Sequence, residues 1–142
     1  MNEDLKKNAT RATGHFALNV NENGEGQKPV ATSRLGLSLS SNQFYIAGYA
    51  SEDFNSQGVD IYICAKVEAN KIYPFKSEGA TGNYNPKKFE GSSWSSRSGS
   101  GEIRIDEIDW DKKTAKGSFE FTAASLNETQ SAKINGTFNL QQ

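Results

Sequence analysis

Residues 100 to 140 read SGEIRIDEIDWDKKTAKGSFEFTAASLNETQSAKINGTFNL, and their alternation of apolar and polar side chains constrains the fold more than any other stretch. Side chains on a pleated strand point to opposite faces in turn, so a half-buried strand shows apolar residues at every second position. Gly117, Phe119, Phe121 and Ala123 fall on one face, with Ser118, Glu120 and Thr122 on the other. Ile134, Gly136, Phe138 and Leu140 repeat the pattern against Asn135, Thr137 and Asn139. Before them Ile103 and Ile105 are in phase and Ile108 and Trp110 are shifted by one, as an inserted bulge residue at Asp106 or Glu107 requires. With Asp111-Lys112-Lys113-Thr114 as a polar hairpin turn, the segment is a β-meander.

The rest of the chain extends this reading. Strands are expected near 14–20, 31–40, 43–50, 59–68 and 89–97, with a short one near 72–75. The stretches 21–26, 51–58 and 77–88 are rich in Gly, Asn, Asp, Ser and Pro and read as connections. Ser41-Asn42 is a tight turn between two strong strands, and no helix is expected. The fold class is therefore all-β: a single antiparallel β-sandwich or barrel of about eight strands over 1–142, with 1–12 a polar tail or short helix leading into it. A chain of 142 residues buries roughly 68–70% of its unfolded surface and needs no disulfide or metal staple.

Charge and composition narrow the functions. Sixteen basic against seventeen acidic residues give a net charge of -1, which argues against nucleic acid or an anionic membrane as partner. No apolar run has the length of a membrane span or a secretion signal, so the chain as given is expected to be soluble, without membrane insertion. It is cytoplasmic if Met1 is native, and secreted or envelope-bound if Met1 replaces a removed signal. The single cysteine, Cys64, excludes an internal disulfide and reads as an inert strand thiol.

Catalytic signatures are lacking. The one histidine, His15, is out of phase with Phe16, Leu18 and Val20 and faces solvent, and no serine elbow accompanies it. Asp106, Glu107, Asp109 and Asp111 lack the glycine and distal glutamate of a calcium loop; Asp106, Asp109 and Asp111 are weak metal candidates on a solvated rim. The run from Gly91 to Gly101 lacks the following helix of a dinucleotide loop and reads as a flexible hairpin connection. No cofactor and no enzymatic activity are expected. Three sequons occur; Asn135-Gly136 reads instead as a bulge in the last strand.

Trp94 stands among serines with no apolar neighbour and is expected to be exposed, as an anchor for a glycan or protein, with Tyr84 and Arg97 as companions. The expected function is a non-catalytic module that binds a protein or glycan through its loops, around 51–58 and 77–99. An immunity-type protein that neutralises a bacterial toxin and a small barrel around an apolar ligand are the alternatives.

The C-terminal residues also carry a resemblance. Gly101, Ile103, Ile105, Asp109, Gly117, Phe119, Phe121, Ile134, Asn135, Gly136, Thr137 and Phe138 fill a pattern, "sG.I.I...D", "GtFsF.a" and "itnGtFn". In this the chain resembles a family of small bacterial all-β proteins of unknown function, many of them lipoproteins or exported proteins of Bacteroidetes. The resemblance implies a β-sandwich or barrel module and carries over no catalytic residue.

Overall fold

The computed structural model describes residues 11–142. They form eleven strands: β1 (Arg11–Glu22), β2 (Lys28–Val30), β3 (Arg34–Ser40), β4 (Gln43–Tyr49), β5 (Gly58–Ile63), β6 (Lys71–Pro74), β7 (Ala80–Asn85), β8 (Trp94–Ser96), β9 (Glu102–Asp109), β10 (Thr114–Ala124) and β11 (Ser131–Gln141). All pair antiparallel in one sheet, and no helix occurs among the described residues. The order β11-β1-β3-β4-β5-β7-β8-β10 closes on itself because β10 also pairs with β11, which makes a ring of eight strands. β2 adds to the edge of β1, and β9 with β6 branches from β10. The all-β, antiparallel expectation with a C-terminal meander therefore holds.

The meander is laid out as its alternation predicts. β10 and β11 pair without interruption from Thr114 opposite Gln141 to Ala124 opposite Ser131. Between β9 and β10 the register shifts: Glu107 lies opposite Lys116 but Ile105 opposite Gly117, which leaves Asp106 as the extra residue of the expected bulge. Asn135-Gly136 is no bulge, for Asn135 faces Asn19 on one side and Glu120 on the other in unbroken ladders.

Glycine serves packing there. Gly117 lies directly opposite Phe138 and Phe119 directly opposite Gly136, two reciprocal cross-strand pairs. A Cβ on Gly136 would sit 2.6 Å from Phe119 Cζ, and one on Gly117 would sit 2.8 Å from Phe138 Cζ. Each bare backbone is thus the floor on which the opposite ring lies. Both rings are buried inside the ring of strands, with Phe16 packed on Phe119 at 5.6 Å and Phe44 on Phe138 at 6.3 Å between centroids. The inside is filled by such side chains, with Leu37, Phe44, Ile46, Val59, Ile61 and Tyr84 fully buried.

Several boundaries differ from the expectation. β7 occupies part of 77–88, whose composition reads as a connection because two of the inward positions are the small Ala80 and Gly82 and Tyr84 alone is large; the Phe121 ring fills the space over Gly82. β5 ends at Ile63, so Cys64 lies beyond the strand and is exposed rather than buried in it. β8 is three residues long and β3 starts at Arg34 after a separate β2. β1 takes in Arg11 and Ala12 from the expected tail, whose remainder lies outside the described residues.

The glycine-serine run is not a hairpin. β8 and β9 both run antiparallel to β10, so residues 97–101 carry the chain along one side of the same strand. Ser100 keeps that side bonded: its Oγ accepts from the Thr122 N–H at 3.0 Å and donates to the Thr122 carbonyl at 3.3 Å. The side chain satisfies the Thr122 N–H where the backbone detours, while the Thr122 carbonyl also accepts the Arg97 N–H at 2.8 Å.

Candidate functional site

Tyr84 and Trp94 face each other across β7 and β8. Both turn inward: Tyr84 is completely buried and Trp94 is 5% exposed, their rings meeting edge-on with centroids 5.7 Å apart. The expectation of an exposed Trp94 is thereby corrected. The serines around it were the misleading signal; in a three-residue strand the alternation puts Trp94 inside while Ser95 faces out. Of the three expected binding residues Arg97 alone lies at the surface, ion-paired with Glu128 at 3.0 Å. A fluorescence experiment checks this placement. With Trp110 replaced by phenylalanine, the remaining Trp94 is expected to emit at short wavelength and resist acrylamide; red-shifted, readily quenched emission would refute its burial.

The phenol of Tyr84 ends in a polar network at the far end of β1. Its O–H donates to Glu22 Oε1 at 3.0 Å and its oxygen accepts from Gln57 Nε2 at 2.7 Å. Glu22 Oε1 also accepts the Lys87 backbone N–H at 3.1 Å. Burial pushes the Tyr84 phenol up from its ordinary value of 10.0; Gln57 opposes the shift by hydrogen bonding, and the Glu22 charge adds to it. Beside this network a cleft of about 220 Å³ opens between the β1–β2 hairpin, Gln57 and Lys87.

A second surface surrounds the β10–β11 hairpin. Asn127 Oδ1 accepts from the Ser125 hydroxyl, the Thr129 hydroxyl and the Thr129 N–H, at 2.7 to 3.2 Å, while Ser125 N–H donates to the Gln130 carbonyl. This compact turn holds Leu126 out at 87% exposure. Leu126 stands between two clefts, one of about 650 Å³ lined by Ser93, Ser95, Arg97 and Glu128, the other of about 220 Å³ reaching Pro86 and Lys88.

A third cluster lies on the outward side of β4, where Tyr45, Ala47 and Tyr49 are buried. Tyr49 O–H donates to Asp60 Oδ2 at 2.8 Å, and Asn83 Nδ2 donates to Asp60 Oδ1 at 3.0 Å. The buried Arg34 guanidinium pairs with Glu52 at 2.8 Å and lies 5.1 Å from the Phe54 ring centroid. Burial, then the Asp60 charge, pushes the Tyr45 and Tyr49 phenols well above their ordinary value. With its donors and acceptors matched, the cluster serves as structure.

The remaining candidates stand apart. Asp109 Oδ1 accepts the Asp111 and Lys112 N–H groups at 3.0 Å each and so caps the hairpin turn; Asp106 is the exposed bulge residue and Asp111 is exposed. Among the described residues no three His, Cys, Asp or Glu side chains are grouped to hold a metal ion. His15 faces solvent, as its phase predicts. Among the described residues no helix is long and apolar enough to cross a membrane.

Compared with known proteins, the chain matches no family model, no curated protein and no solved structure. Sequence reasoning passed over Glu22, Gln57 and Leu126. Leu126 carried a signal, a lone leucine in the polar hairpin SLNETQ. Glu22 carried none, since its partner Tyr84 lies 62 residues away.

Proposed function

We propose that this protein is a non-catalytic interaction module that engages a protein partner through the surface around Leu126. The observation that carries the reading is the exposure of that leucine on a hydrogen-bonded turn, between two clefts and beside the Arg97–Glu128 pair. Arginine is enriched in protein interfaces, and a leucine held out on a rigid turn loses little entropy on docking. A glycan reading relied on Trp94 as a stacking platform; with Trp94 and Tyr84 facing inward, the protein reading is favoured. The large side chains inside the ring of strands likewise direct binding to the outer surface. A toxin neutralised by such a module is one partner of this kind, and the resemblance to exported β-proteins of Bacteroidetes fits a module of either sort.

The test compares the protein with Leu126→Asp and with Ile72→Asp, the latter altering an apolar residue 48% exposed on β6. Both surface changes are expected to leave stability within about 0.5 kcal/mol. A protein retained by the unchanged chain and by Ile72→Asp, but lost with Leu126→Asp, supports the reading. Retention of the same material by all three, or retention of a glycan indifferent to Leu126→Asp, overturns it.

A further inference from the structure

The cleft beside Glu22 has features that the interaction surface does not use. Glu22 is held in place: Tyr84 and the Lys87 N–H both donate to Oε1, and Gln57 fixes Tyr84 in turn. Its other oxygen, Oε2, accepts no hydrogen bond from a described residue. The hairpin wall is equally well tied, with Asn21 Oδ1 accepting the Gly26 N–H at 3.0 Å and Asn23 Oδ1 accepting the Ser131 N–H at 3.0 Å.

Four charged residues line this small space: Glu22 and Glu25, Lys28 and Lys87. Their formal charges cancel, and among the described residues none of the four makes an ion pair. The same cleft has an apolar side formed by Val20 and Val30. A volume of about 220 Å³ lies below the roughly 300–1,000 Å³ of ligand pockets in general. That suits a small metabolite rather than a chain segment.

These properties select a ligand. A simple anion would meet two carboxylates as well as two ammonium groups, and a simple cation the reverse. A molecule carrying both signs a few bonds apart can meet acidic and basic groups of the cleft at once. We propose that the cleft binds a free α-amino acid, its ammonium on Glu22, its carboxylate toward Lys28 and Lys87, and its side chain against Val20 and Val30. Glu22 is the selecting group because the Tyr84–Gln57 network fixes its direction before the ligand arrives.

The experiment follows backbone amide resonances of the whole chain while the standard free α-amino acids are added, pooled and then singly, at about millimolar concentration. Shifts are expected at Gly26, Gln57 and Lys87 with at least one amino acid. Its N-acetyl form, which lacks the ammonium, and its amide, which lacks the carboxylate, should each bind about tenfold more weakly or worse, a loss of about 1.4 kcal/mol. Glu22→Gln retains an acceptor for Tyr84 and should weaken binding by a similar factor with the spectrum otherwise intact; Lys28→Ala, at an exposed position, is the second variant. Absence of shifts with every amino acid overturns the proposal, as does binding of the N-acetyl form equal to that of the free one or binding indifferent to both variants. Leu126→Asp should bind the amino acid normally, which separates this site from the interaction surface.

Discussion

Replacing Phe119 by alanine is expected to cost about 3–5 kcal/mol, a large share of the roughly 5–15 kcal/mol that holds a domain folded. The ring is buried, packs on Phe16, and lies over a glycine backbone that cannot move in to fill the vacated space. Gly136→Ala tests the same pair from the other side. Its new methyl would meet Phe119 Cζ at 2.6 Å and would also press on the Ala17 carbonyl oxygen, an overpacking worth about 1–3 kcal/mol. In the double variant the ring is absent and only the carbonyl clash remains, so the two costs should add to less than their sum by roughly 1 kcal/mol. Urea midpoints at unchanged slope measure all three. A neutral Gly136→Ala, or additivity within about 0.3 kcal/mol, would show that the ring does not depend on the glycine. Gly117 and Phe138 should behave alike, since they form the reciprocal pair.

Those pairs show what could be read from the chain and what could not. Alternation in β10 and β11 is clean because one face is core and the other solvent, and the phase shift at Asp106 marks a bulge that pairing bears out. The glycines of the same pattern were legible as in phase, but their purpose depends on which ring lies opposite, a matter of register. β7 escaped notice for the same reason: Gly82 looks like a turn residue until Phe121 is placed over it. Trp94 was misjudged because its sequence neighbours are serines, while its burial is decided by Tyr84 on the next strand. The polar contacts of the candidate sites are still more distant, Glu22 to Tyr84 across 62 residues and Asn23 to Ser131 across 108. Local pattern fixes which face of a strand is wet, and only closure of the ring decides which side chains meet.

Burial of three phenols, Tyr84 inside the ring and Tyr45 and Tyr49 in the outer cluster on β4, also makes the fold sensitive to alkali. Tyr45, Tyr49 and Tyr84 hold their phenol protons well above the ordinary value of 10.0, first because burial penalises the phenolate and then because Asp60 or Glu22 lies beside them. Below pH 10 folded and unfolded chains carry these protons alike, so stability there is independent of the three groups. Above it the unfolded chain releases them and the fold does not, so the native state binds more protons and stability falls as pH rises. Each such tyrosine costs up to about 1.4 kcal/mol per pH unit, roughly 4 kcal/mol per unit for three. A stability of about 5–15 kcal/mol is then exhausted within a few units, and unfolding should be cooperative. The protein has five tyrosines, and phenolate absorbance from the three buried ones should appear together with loss of the β-sheet circular dichroism. Tyr49→Phe removes one titrating group and should make the fall about one third shallower. At neutral pH it should cost about 1–3 kcal/mol, because Asp60 keeps Asn83 as donor but the buried Tyr45 phenol loses Tyr49 as a hydrogen-bonding partner. Full ionisation of all five tyrosines with the β signal intact would contradict the coupling, and so would a slope that Tyr49→Phe leaves unchanged.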